Sequence, residues 1–263
     1  MLRHFAFAYK SDDKKAQKLG SMKNRIGKHR GLFITATDTG AGKTLISGAI
    51  AKIISQPDKT VGVFKPIATG CRKVKQKFVS EDAEFLSHCA NTNLAHDIIT
   101  PIKFKIPAAP FACEKAEKKK VSLKKIFNAY EQICRNSDFV VVEGIGGVKV
   151  PITDNFDVLD LAKALKLPVV IVARAQLGTI NHTLLTIEAV RRKGLLLAGI
   201  IINGYDEKTN DYAQKSNAEI IKKLGKVKIL AVVPYDKKSS VEKKLLGQKA
   251  LNALRKVNWL KVK

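Results

Sequence analysis

The chain has 263 residues, with 48 Lys and Arg against 23 Asp and Glu, a formal net charge of +25, and 45% hydrophobic residues. That length and balance suit one large globular domain or two small ones, and they exclude a disordered chain, a collagen-like repeat and a disulfide mini-scaffold. The longest apolar runs, such as residues 195–202, fall far short of the roughly 20 residues needed to cross a bilayer, so no membrane span is expected.

Residues 1–30 hold 9 basic and 2 acidic residues and lack the apolar core of a secretory signal. They read as a basic extension, expected to be flexible, ahead of a single domain over 31–263. A strand is predicted at 31–35, a helix at 44–55, a strand at 61–65 and a helix at 81–89. Residues 100–120 are expected to form a surface loop, because Pro101, Pro107 and Pro110 interrupt regular structure and Lys118, Lys119 and Lys120 follow. A helix at 122–136 and a strand at 139–142 come next, then a helix at 157–167, a strand at 169–173 and a helix at 181–192. The chain closes with a strand at 197–202, a helix at 211–224, a strand at 229–233 and a helix at 241–257. Short, almost wholly apolar strands alternating with amphipathic helices predict an α/β fold, a doubly wound and mostly parallel sheet with helices on both faces. In such sheets ligands bind beyond the carboxyl ends of the strands.

The first strand runs into Thr37-Asp38-Thr39-Gly40-Ala41-Gly42-Lys43-Thr44, and a helix pattern begins at once. Small residues let successive N–H groups face one concavity, and a helix N-terminus adds favourable potential for an anion. Lys43 is placed to reach β- and γ-phosphates, and the Thr44 hydroxyl to ligate Mg²⁺. The segment is therefore a P-loop of the kind found in nucleoside triphosphatases, although Thr37 stands where the strict motif has its first Gly. Glu143 closes the apolar run Phe139-Val140-Val141-Val142. A carboxylate at the end of a buried strand is costly without a cation or strong hydrogen bonds, so Glu143 is either a metal anchor or a structural acceptor. Asp82 is a second metal candidate, although Ser80-Glu81-Asp82 also reads as a plain helix start capped by Ser80. Lys65 ends the second strand and places a second ammonium at the same sheet edge, unless it merely snorkels to the surface.

Charge alone admits nucleic acid, anionic membrane or phosphorylated ligands without choosing among them. Aromatics are 6% of the chain and do not interleave with the basic residues as base-stacking platforms would. Cys71, Cys89, Cys113 and Cys134 form no C-x-x-C pair, which fits reduced thiols in a cytoplasmic protein.

Taken together, the P-loop, Lys65-Pro66-Ile67-Ala68-Thr69-Gly70, Ser80-Glu81-Asp82-Ala83, Glu143-Gly144-Ile145-Gly146-Gly147, Leu177-Gly178-Thr179-Ile180-Asn181-His182 and Gly199-Ile200-Ile201-Ile202-Asn203 resemble the dethiobiotin synthetase family over nearly all of 31–234. The resemblance implies a cytoplasmic, homodimeric, ATP-dependent ligase of biotin synthesis. Its substrates would be 7,8-diaminopelargonate, CO₂ or bicarbonate, and ATP with Mg²⁺. By the same resemblance Thr39, Gly40, Ala41, Gly42, Lys43 and Thr44 would bind ATP, with Asn203 and backbone near Pro234 at the adenine. Thr44, Asp82 and Glu143 would hold Mg²⁺, and Lys43 and Lys65 would be catalytic. Thr39, Lys65 and Thr69 would contact the diamine or its carbamate, and Asn181 at a helix start would bind the substrate carboxylate from the partner subunit. An N-cap role for Asn181 stays open. Ala36, Gly40 and Phe111 depart from the family's usual residues. The rival is a ParA/MinD-like ATPase acting on DNA or membrane, but its signature lysine early in the P-loop is absent here. Nucleic acid is accordingly not required as a partner.

Overall fold

The computed structural model describes residues 29–262. The basic stretch before His29, expected to be flexible, lies outside the described residues. Six strands form one parallel sheet: β1 (Gly31–Ala36), β2 (Val61–Phe64), β7 (Phe139–Gly147), β10 (Val169–Arg174), β11 (Leu197–Tyr205) and β12 (Ile229–Pro234). Their spatial order is β12-β11-β10-β1-β7-β2, with β1 central and fully buried. Short pairs lie outside this sheet, among them β3 (Ile67–Ala68) with β6 (Ile102–Lys103), β4 (Arg72–Val74) with β5 (Lys77–Val79), and β8 (Pro151–Thr153) with β9 (Phe156–Asp157).

Successive strand side chains point to opposite faces, so an uninterrupted apolar strand must be covered twice. Phe33, Val140, Val142 and Ile171 pack on one face against α5 (Leu123–Arg135), α6 (Val158–Leu165) and α7 (Thr179–Arg192). Leu32, Ile34, Val141 and Val170 pack on the other against α1 (Lys43–Ile54), α2 (Glu81–Ala90) and α9 (Gln248–Arg255). Helix α8 (Tyr212–Gly225) adds Ile221 to the first face. Local chemistry explains several starts. Asp157 and Asp160 form a reciprocal capping box at α6, and Asp211 caps α8 by accepting from Ala213 N–H at 2.8 Å.

Three expectations are corrected. Residues 100–120 are not a surface loop. Strand β6, a short helix α3 (His96–Ile99) just before it and α4 (Pro110–Ala116) give the region regular structure, and Phe104 and Cys113 are buried. Pro110 starts α4 rather than breaking it, because a first-turn residue has no intrahelical N–H bond to lose. The predicted helix at 241–257 is confined to Gln248–Arg255. Ser240 and Leu245 instead bridge in antiparallel fashion, and Asp236 accepts from Lys249 N–H at 3.0 Å, fixing the later start. Helix α7 starts at Thr179, behind the left-handed Gly178, so Asn181 lies inside its first turn and is not the N-cap.

Among the described residues, no helix is long and apolar enough to cross a membrane.

Candidate active site

The P-loop joins β1 to α1 at the carboxyl edge of the sheet, where β1 is flanked by β10 and β7 as far as Ala36. Gly40 and Gly42 adopt positive φ, +77° and +90°, so the backbone turns through conformations that side chains resist. Gly42 is the N-cap of α1 and supplies no capping side chain, which leaves the helix N-terminus directed at whatever enters the loop. The loop forms one wall of a cleft of about 650 Å³ that Thr39, Gly40, Gly42, Lys43, Thr44, Lys65, Thr69, Asp82 and Glu143 also line. Nine of the thirteen predicted site residues thus share one concavity. Ala41 is buried just behind it.

The Lys65 ammonium is the cleft's electrostatic centre. Its Nζ lies 2.6 Å from Glu143 Oε1 and 2.9 Å from Asp82 Oδ2, and donates to the Gly144 carbonyl at 3.2 Å. Burial alone would discharge it, but Asp82 and then Glu143 hold its pKa above the usual lysine value. Lys65 is therefore a fixed cation and not a snorkelling one. Burial also works against ionised Asp82, yet Lys65 keeps its pKa below the carboxylate norm. Burial pushes Glu143 upward, with Lys65 opposing. Lys43 lacks such partners at contact distance: burial first, and Lys65 second, lower its pKa to about 8.

Thr44, Asp82 and Glu143 converge as the sequence predicted. Thr44 Oγ1 is 3.0 Å from Asp82 Oδ1 and 2.8 Å from Glu143 Oε1, and its single proton serves one at a time. Ser80 does cap α2, accepting from Ala83 N–H at 3.3 Å, so the plain reading of this helix start holds, and the same turn presents Asp82 to Thr44 and Lys65. Buried Glu143 Oε2 has no hydrogen-bond partner. A hydroxyl and two carboxylates with an orphaned oxygen form a hard-donor set that fits Mg²⁺. The described residues hold no cluster of three His, Cys, Asp or Glu side chains that could hold a metal, so phosphate oxygens would complete any coordination here.

Other predicted residues stand apart from the cleft. Asn203 Nδ2 donates to the Ala41 carbonyl at 2.9 Å, bracing the loop from behind. Pro234 lines a neighbouring hollow of about 410 Å³ with Tyr205, Val232 and Lys249. Asn181 is exposed on α7, and the structure does not bring it to the cleft. Sequence reasoning missed Pro107, Ala108 and Val241, which line the cleft. It also missed Arg174, which grips the P-loop from outside. Pro101, Pro107 and Pro110 were a usable signal for the first two, and a charged residue ending an apolar strand beside β1 for Arg174. Nothing in the sequence marked Val241.

An AAA domain family model matches residues 30–243. The ATP-dependent dethiobiotin synthetase BioD of Bacillus subtilis subsp. natto is 40% identical over 205 residues, spanning 78% of this chain and 87% of its own. The enzyme of that name from Methanocaldococcus jannaschii is 40% identical over 206 residues, spanning 77% and 92%. The chain belongs to the dethiobiotin synthetase family. Among solved structures, a ParA family ATPase from Chlorobium tepidum TLS matches with a TM-score of 0.53, 14% identity and coverage of 89% of this chain and 99% of that one. The MinD cell division protein of Aquifex aeolicus gives 0.54, 15% identity and coverage of 86% and 93%. At such identities these likenesses speak for the mostly parallel P-loop fold alone, and the dethiobiotin synthetase relatives carry the family assignment.

Proposed function

We propose that the chain carries out the ATP-dependent carboxylation and ring closure of 7,8-diaminopelargonate to dethiobiotin. The observation that carries the reading is the convergence of Lys43, Lys65, Thr44, Asp82 and Glu143 in one cleft beside a P-loop. One amine of the diamine adds to CO₂, forming a C–N bond, and loses a proton to solvent to give a carbamate. A carbamate oxygen then attacks the γ-phosphorus of ATP, forming a P–O bond as the bond to ADP breaks. The second amine attacks the carbonyl carbon of this mixed anhydride, the C–O bond to phosphate breaks, the amine's proton leaves with the phosphate, and the cyclic urea closes.

The side chains do this by position and charge, as phosphoryl transfer requires. Lys43 and the loop amides hold the β- and γ-phosphates. Lys65, kept cationic by its two carboxylates, stabilises the anionic carbamate and the charge that builds on transfer, and it does not serve as a base. Thr39 and Thr69 contact the diamine or its carbamate. Thr44, Asp82 and Glu143 would hold Mg²⁺, which when bound neutralises charge on the triphosphate. Asn203 and the backbone near Pro234 read the adenine. Exposed Leu177 just before α7 and exposed Leu185 on it lie either side of Asn181 in the chain, which supports pairing of two copies through this region, with Asn181 binding the acid chain of the partner's substrate.

The decisive assay is mass detection of a ureido product from diaminopelargonate, bicarbonate and ATP. Product that requires all three supports the reading. ATP turnover stimulated by DNA and indifferent to the diamine would replace it with the ParA-like alternative.

A further inference from the structure

Arg174 ends β10 at the carboxyl edge of the sheet and has no part in the scheme above. Its Nη2 donates to the Thr39 carbonyl at 2.5 Å and lies 3.9 Å from Asp38 Oδ2. Asp38 Oδ1 in turn accepts from the Thr39 N–H at 2.6 Å. Gly40, at φ +77°, leaves room for this grip, since a Cβ there would sit 3.0 Å from Arg174 Nη2. One guanidinium therefore engages two successive P-loop residues, Asp38 and Thr39, from outside the cleft.

Two consequences follow from elementary geometry and charge. The Thr39 carbonyl and the Gly40 N–H belong to one planar trans peptide and point in opposite directions. Holding the carbonyl outward turns the Gly40 N–H toward the cleft, where it can serve a phosphate. Asp38 also places a carboxylate at the mouth of a site built for a polyanion, and a guanidinium beside it offsets that repulsion. The contact is half exposed, so it acts at short range and not through a long-range field.

We propose that Arg174 is a positioning residue for the nucleotide, fixing the Thr39–Gly40 peptide and neutralising Asp38. This rests on the ATP-binding part of the proposed function. Removing one partly exposed charge-assisted contact should cost about tenfold in affinity.

The test is calorimetric titration of the full chain with ATP and Mg²⁺, using wild type, Arg174→Ala, Arg174→Lys and the double variant Arg174→Ala with Asp38→Asn. Melting temperatures without ligand confirm that each variant folds. Arg174→Ala should bind ATP about tenfold more weakly while keeping kcat at saturating ATP within about twofold, the pattern of lost uniform binding. Lysine has a point charge and no planar fork, so Arg174→Lys should fall between the two. Asn at position 38 keeps the acceptor and drops the charge, so the double variant should regain part of the loss. Unchanged ATP affinity in Arg174→Ala overturns the proposal, as does a double variant no tighter than Arg174→Ala. Wild type that binds no ATP would overturn the nucleotide reading itself, an outcome distinct from either.

Discussion

Replacing Lys65 by Met would test whether the cleft's charges are held by mutual compensation. Lys65 and Glu143 are 4% and 1% exposed, and Lys65 faces both Glu143 and Asp82. Stranding one member of a buried ion pair costs about 3–5 kcal/mol. Most of it falls on Glu143, because the Asp82 side chain is 34% exposed and can rehydrate. At about 2–4 °C per kcal/mol for a chain of this size, the melting temperature should drop by roughly 6–20 °C. The pH dependence follows from Glu143, whose pKa burial already raises and which Lys65 holds in check. Without Lys65 it rises further. A carboxyl whose folded pKa exceeds its unfolded value penalises the fold while ionised, and the penalty disappears as pH falls through the folded pKa. The deficit of Lys65→Met against wild type should therefore be large near pH 8 and smaller near about pH 5. Adding Glu143→Gln removes the stranded charge and should restore much of the loss. Scanning calorimetry of the three proteins at the two pH values reads all of this. A Lys65→Met melting point within about 2 °C of wild type near pH 8 refutes the compensation argument, since it corresponds to no more than about 1 kcal/mol. So does a deficit that ignores pH.

Two further outcomes are expected from the loop. Lys43, with its pKa lowered to about 8, must be charged to hold phosphates. ATP affinity should therefore weaken by up to about tenfold per pH unit above about pH 8, while the ATP-free protein gains stability there because the unfolded chain binds the extra proton. Titration calorimetry and melting at neutral and alkaline pH check the two opposed slopes, and a flat affinity profile contradicts the role given to Lys43. Gly42→Ala would place a Cβ 2.1 Å from Asn203 Nδ2 in a backbone with φ +90°. It should reduce ATP affinity by more than about tenfold through loss of the loop's shape, and normal ATP binding would show that the loop is not the phosphate site.

The sheet was legible because its signal is local. All six predicted strands are present, since short β-branched runs such as Val169–Arg174 have no other way to bury both faces. The P-loop, Lys65 and Glu143 were legible for a related reason: each ends or adjoins a strand at the carboxyl edge, so topology brings them together, whereas Asp82 reaches them from the first turn of α2, behind the separate β4–β5 hairpin. Non-local contacts carried what was missed. The start of α9 depends on Asp236, 13 residues before Lys249. The order in 100–120 depends on β6 pairing with β3 and on a buried Cys113. Arg174 meets Thr39 across 135 residues, and no spacing rule encodes that. The two fates of the lysines were likewise invisible, because Lys43 and Lys65 differ only in which carboxylates reach contact distance.

That difference explains why a polyanion site contains two carboxylates at all. Lys43, Lys65, Asp82 and Glu143 carry balancing charges when all are ionised, so an empty cleft would gain little from attracting phosphate by net charge. The carboxylates instead divide the labour between the lysines. Asp82 and Glu143, with the Gly144 carbonyl, satisfy Lys65 and hold it in one place as a cation, suited to the stabilisation of a carbamate that is proposed for it. Lys43 is left short of compensation, its pKa depressed to about 8, and it gains most from an arriving triphosphate. Under the proposed function, binding strength resides in the lysine that the protein leaves unsatisfied, and placement in the one that it satisfies.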